Sequence, residues 1–133
     1  MTVEAGLLDT SVFIASESGR EIDVDSLPEL SAVCVVTLAE LQAGVLAASD
    51  VATRARRLAT LTALDDLDVL PIDAAAARAW AQLRVHLAEM GRRVNVNDTW
   101  IAAVAISRGL PVVTQDDDFD ALEGVAGLTV VRV

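Results

Sequence analysis

Lysine is absent from this chain: all ten basic residues are arginines, against 20 aspartates and glutamates. Any mechanism that needs a lysine is therefore excluded. The formal net charge of −10 makes the chain a poor passive binder of nucleic acid, which leans on a basic surface. If it acts on nucleic acid, something else must manage the charge, and a divalent cation would. Cysteine is nearly absent too. Cys34 alone allows no intrachain disulfide, and its place in the apolar run Ala32–Val36 marks it as a buried small hydrophobe. With no His or Cys pair there is no zinc site, and the lone His86, mid-helix among polar neighbours, is expected at the surface. No basic segment precedes an apolar one near the start, which Glu4 and Asp9 interrupt. The most apolar window, Leu30–Ala48, carries Glu40 and Gln42 and falls short of a membrane span. The expectation is a soluble, cytoplasmic protein without repeats, low-complexity tracts or linkers.

Apolar residues make up 53% of the 133, which excludes disorder and suffices for one domain, 1–133, with its own core. Gly6-Leu7-Leu8 forms a short apolar run ending at Asp9-Thr10-Ser11, and a helix from Val12 fades near Gly19. A polar loop with Pro28 leads to a β-branched strand at Ala32–Val36. Thr37 opens a helix with Leu38, Leu41 and Val45 on one face, and Asp50 caps an arginine-bearing helix striped by Leu58, Leu61 and Leu64. Asp68–Ile72 is a short strand or extended link that Pro71 keeps from a central place. Asp73 caps a long helix to about Met90, with Ala77, Trp80, Ala81, Leu83 and Leu87 inward and Gly91 as its stop.

The stretch Asn95–Asp120 then holds a helix start at Asn97 and Asp98, a C-cap at Gly109, and a buried strand at Pro111–Thr114. Leu128–Val133 is a last strand. Short apolar strands alternating with helices predict an α/β fold with a parallel sheet, whose ligands sit beyond the C-terminal strand ends. That rule gathers the acids. Asp9 follows the first strand, Glu40 lies just past the second, Asp98 begins the helix feeding a later strand, and Asp116, Asp117, Asp118 and Asp120 follow that strand.

Each acid alone has a structural use. Asp9 suits an N-cap, Thr37-Leu38-Ala39-Glu40 fits a capping box, and Asp98 suits a first turn. Together at one sheet edge they would repel one another unless a cation binds or a proton is shared. All-oxygen ligation by carboxylates suits Mg²⁺ or Mn²⁺.

The segments LLDTSVFIA, VTLAELQAG and NDTWIAAVAISRGLPVVTQDDDF, with their order Asp, Glu, Asp, Asp, resemble the PIN-domain ribonucleases. The chain looks most like the VapC-type toxins of bacterial toxin–antitoxin modules, and the resemblance runs from about Val3 to Val133. It implies a three-layer α/β/α fold with a central parallel sheet of about five strands. It assigns Asp9, Glu40, Asp98 and Asp116 to a catalytic acidic quartet that binds Mg²⁺ or Mn²⁺. Asp117 and Asp118 are alternatives for the last acid; Asp116, two residues past Thr114, is favoured, with Asp117 beside it as a metal ligand. Thr10 or Ser11, and Thr114, match the family's supporting hydroxyls. The resemblance further implies endonucleolytic cleavage of cellular RNA (tRNA, rRNA or mRNA), dimerisation, and inhibition by a VapB-type antitoxin. Arg92 and Arg93, close in sequence to Asp98, are candidate RNA contacts, while Trp80 and Trp100 are assigned to the core.

Rival classes fit less well. A phosphoacceptor receiver needs a lysine and paired acids at the first strand end, where Asp9 stands alone. A haloacid-dehalogenase-like phosphatase expects an acid where Ser11 stands. A catalytically silent PIN-like binding module is the alternative within the same fold.

Overall fold

In the computed structural model, residues 3–133 are described, so residues 1 and 2 of the expected 1–133 domain lie outside the description. Five short strands form one parallel sheet: β1 (Ala5–Leu8), β2 (Leu30–Cys34), β3 (Asp68–Leu70), β4 (Val112–Thr114) and β5 (Val130–Arg132). Their order across the sheet is β3-β2-β1-β4-β5. The helices are α1 (Thr10–Glu17), α2 (Val35–Ala47), α3 (Val51–Thr62), α4 (Ala74–Met90) and α5 (Val96–Arg108). Because consecutive strand residues point to opposite faces, Leu7 and Leu8 serve two cores. Leu7, Val112 and Val130 pack with α4 and α5, whereas Leu8, Val33 and Val113 pack with Val12 of α1 and Leu41 of α2. This is the three-layer α/β/α arrangement.

The sheet grows outward from β1 in one direction to β2 and β3, and in the other to β4 and β5. The chain therefore changes direction between β1 and β4, which in such folds opens a crevice at the C-terminal strand ends. Close approach of these two strands depends on Gly6, where an added Cβ would lie 2.8 Å from Val113 Cγ2. β3 is an edge strand, as Pro71 foretells. Both glycine stops hold: Gly91 and Gly109 take φ of 63° and 64°, the left-handed conformation that ends a helix at little cost.

Several boundaries differ from the sequence reading. The second strand ends at Cys34, and Val35 and Val36 begin α2. The N-cap of α2 is Cys34, whose Sγ accepts from the Val36 N–H at 3.4 Å, so Thr37 and Glu40 form no capping box. α5 starts slightly earlier than read, at Val96, with Asn95 accepting from Asn97 N–H at 2.8 Å, which places Asp98 within the first turn. On α4 the buried row is Ala76, Ala79, Leu83 and Leu87, and Ala77 and Ala81 face out. Leu38 and Leu58 are also exposed, and α3 buries no residue fully. The Arg54 and Arg57 guanidiniums are structural: they donate to the carbonyls of Ala48 at 3.2 Å and Gly44 at 2.7 Å, tying α3 to the C-terminal end of α2. Cys34 is fully buried, as expected.

Candidate active site

The parallel register Leu8↔Val113 carries the chain past both strand ends side by side, so Asp9 lands next to Thr114. The Asp9 N–H donates to the Val113 carbonyl at 2.8 Å, which fixes the backbone there. Asp9 stands at the N-cap of α1 without closing a side-chain capping bond. Its carboxylate is instead held by hydroxyls: Ser11 Oγ donates to Oδ2 at 2.7 Å and Thr114 Oγ1 at 3.0 Å. Only 3% of Asp9 is exposed. Burial raises its pKa, partly offset by those two hydroxyls and reinforced by the neighbouring charge of Asp116.

Glu40 arrives from the other side of β1. In its first turn α2 presents the buried Thr37, whose hydroxyl lies 2.9 Å from that of Thr10, and Thr10 Oγ1 donates to Glu40 Oε1 at 2.8 Å. Thr10 and Ser11 thus divide the work: the first orients Glu40 and the second orients Asp9. Ser11 Oγ also accepts from the Gln115 N–H at 3.0 Å, which pins the loop after β4. In that loop Asp116 lies beside Thr114, with its N–H 3.3 Å from Thr114 Oγ1, and its Oδ1 accepts from the Asp118 N–H at 3.1 Å.

Asp9, Thr10, Ser11, Glu40 and Asp116 line one cavity of about 340 Å³ with Asp98, Asp118, Arg20, Asn95 and Ile14. The acids come from four separate parts of the chain: the end of β1, α2, the start of α5 and the loop after β4. Their mutual cost is plainest at Asp98. Burial, followed by the charges of Asp9, Asp118, Asp116 and Glu40, pushes its pKa up to about 7. The Asp118 carboxyl is raised as well, by burial and then by Asp116. Among the described residues no three such side chains converge closely enough to hold one ion as they are placed.

Asp9, Glu40, Asp98 and Asp116 are brought together, and the hydroxyls of Thr10, Ser11 and Thr114 hold three of them. Asp117 lies apart from these four. Its side chain is exposed and turns toward Arg132, 3.9 Å away, and Asp118 takes the place on the acidic cavity. Consecutive residues of a tight turn project in different directions, so adjacent acids cannot all face one point. Arg92 and Arg93 flank an adjoining groove of about 440 Å³ that also includes Asn95, Asp98, Asp117 and Asp118. Arg20 escaped the sequence reading; it follows the left-handed Gly19 in a polar loop with no motif to mark it. Its neighbourhood to Asp9 is created only by folding.

Residues 6–125 match the PIN domain family. The chain is 61% identical to Ribonuclease VapC5 of Mycobacterium tuberculosis, over 99% of this chain and 98% of that protein. It is 43% identical to Ribonuclease VapC4 of the same organism, over 98% and 100% of the two chains. Its fold superposes, with a TM-score of 0.92 and 58% identity, on the crystal structure of VapBC-5, a member of the VapBC family of toxin–antitoxin systems from M. tuberculosis, covering 98% of this chain and 99% of that one. The chain belongs to the PIN-domain family, among its VapC-type ribonucleases.

Proposed function

We propose that this protein is a Mg²⁺- or Mn²⁺-dependent endoribonuclease and the toxin of a toxin–antitoxin pair. The carrying observation is the cavity where Asp9, Glu40, Asp98, Asp116 and Asp118 meet and leave Asp98 with a pKa of about 7. A fold keeps such a gathering when a cation or proton relieves it. The donors are all carboxylate oxygens, the chemistry that hard divalent cations select. Asp9, Asp98 and Asp116 are the proposed ligands, with Glu40 and Asp118 at the rim. The carboxylates stand apart as placed, and ion binding would draw them inward. When bound, the metal supplies a polarised phosphate and a water of lowered pKa.

The chain's own groups do the rest. Ser11 and Thr114 each donate to one oxygen of Asp9 and so fix its carboxylate, while Thr10 fixes Glu40. Glu40 or Asp98 can accept the proton of the attacking water. Arg20 on the cavity, with Arg92 and Arg93 on the adjoining groove, offers positive charge to the RNA backbone in a chain that otherwise repels it. The proposed partner is a VapB-type antitoxin, in keeping with the VapBC relative. Leu46, Val51 and Leu58, on α2 and α3, are 72%, 86% and 50% exposed and suit a docking surface for the antitoxin or a second copy.

The test is incubation of total RNA with antitoxin-free protein in Mg²⁺, in Mn²⁺ and in EDTA, with mapping of fragment ends. Discrete fragments formed only with metal are expected. Intact RNA under all three conditions, with well-folded protein, would leave the silent binding module.

A further inference from the structure

We propose that the cavity between α4, from Trp80 onward, and the start of α5 is a subsite for a single-stranded RNA nucleotide neighbouring the scissile phosphate, with the base against Trp80 and phosphates on Arg84, Arg92 and Arg93. This rests on the ribonuclease reading above.

The cavity is about 490 Å³, within the range of roughly 300–1,000 Å³ usual for small-ligand pockets. Its charge runs against the rest of the molecule. Three of the chain's ten arginines line it, and no acid does, although acids outnumber arginines two to one overall. None of Arg84, Arg92 and Arg93 makes an ion pair among the described residues, while Arg108 and Arg132 are paired with acids. Unpaired guanidiniums around an apolar floor are complementary to a phosphate-bearing base.

The floor is aromatic in a chain with few aromatics. Trp80 lines the cavity, and Trp100 stacks on Trp80 at 4.9 Å between ring centroids and 16° between planes. The Trp80 Nε1–H is enclosed and is the one buried side-chain polar atom without a partner among the described residues. The placement is also continuous with the chemistry. The groove between shares Arg92, Arg93 and Val94 with this cavity, and Asn95, Asp98 and Asp118 with the acidic one. A strand lying along the trough therefore passes from the carboxylates, over the arginines, to Trp80.

Both tryptophans of the chain are in this stacked pair and tyrosine is absent, so intrinsic fluorescence reports on this place alone. Emission would be followed while a short single-stranded oligoribonucleotide is added to wild type in EDTA and to Asp98→Asn in Mg²⁺. Parallel additions would use the duplexed RNA, inorganic phosphate and oligoglutamate. The expected result is saturable quenching by single-stranded RNA and little response to the others. Trp80→Leu should weaken binding roughly tenfold, and Arg84→Ala should lower the salt slope of binding by about one. Arg78→Ala, exposed on the same helix outside the cavity, should bind as wild type does. Trp80→Phe, which retains a stacking face, separates lost stacking from lost folding.

Silent fluorescence in both titrations, with an enzyme that still cuts RNA, would overturn the subsite and leave the ribonuclease standing. Quenching by RNA that wild type never cuts would keep the subsite and overturn the ribonuclease. Quenching by oligoglutamate and not by RNA would assign the cavity to an acidic protein partner and overturn the proposal.

Discussion

Two groups of acids, interleaved in the same turn after β4, meet opposite fates. Asp117, Asp120 and Glu123 gather round the Arg132 guanidinium, an arrangement that neutralises charge at the exposed end of β5. Asp116 and Asp118 turn the other way and join Asp9, Glu40 and Asp98, where among the described residues no acid is ion-paired. The Asp9 and Asp98 pKa values are raised there, whereas Asp50, capping α3 through the Thr53 N–H, has its pKa lowered. The same side chain is at ease where a donor meets it and strained where other carboxylates do. Unrelieved repulsion inside a cavity, rather than acid content, distinguishes the candidate site.

The comparison can be broken most severely at Asp98. Asp98→Asn should lower metal-dependent RNA cleavage by at least about 10²-fold, while Asp117→Asn should change it by less than about twofold. Gel assays on preparations of equal circular dichroism would decide; equal losses would erase the distinction between the two groups. Thr114→Val comes next, since it removes a donor to Asp9 while keeping the side chain's volume, and cleavage should fall by about 10–100-fold.

A smaller effect concerns stability without metal. The folded state keeps a proton on Asp98 up to a pKa of about 7, whereas its ordinary value is 3.8. Between those values the folded chain binds more protons than the unfolded one, so this group's contribution to stability declines as pH rises through the window. Thermal midpoints in EDTA should therefore fall from pH 5 to pH 8 more steeply for wild type than for Asp98→Asn. At the other extreme Asp50→Ala removes a helix cap and should lower the thermal midpoint slightly with cleavage unchanged.

Much of this architecture is legible in the chain because apolar runs end in acids, and because Gly91, Gly109 and Pro71 act through local backbone rules that tertiary contacts seldom overrule. The strand at Ala32–Val36 misled because β-branched residues suit strands and also the first turn of a packed helix; Val35 and Val36 went to α2. The exposed Leu30 and half-buried Ser31 hid the strand's true start. On α4, alanines on every side blur the apolar period, so the pattern points Ala77 and Ala81 inward although both face out. Within the site, Asp9 and Asp98 are legible because each sits at the start of a helix, whereas Glu40 lies more than a turn inside α2 and is marked only by the family order of acids. The choice among Asp116, Asp117 and Asp118 is not legible, since an irregular turn has no period. Arg20 was out of reach for a like reason, being brought to Asp9 by the return of a loop.

The most direct measurement is the thermal midpoint of wild type and Asp98→Asn at pH 8, each with and without Mg²⁺ or Mn²⁺. The predicted result is a wild-type midpoint that rises by several degrees with metal, and a variant that starts higher and moves little. A wild type indifferent to both metals, or a variant that shifts as much as wild type, would contradict the claim that these carboxylates are gathered to hold a cation.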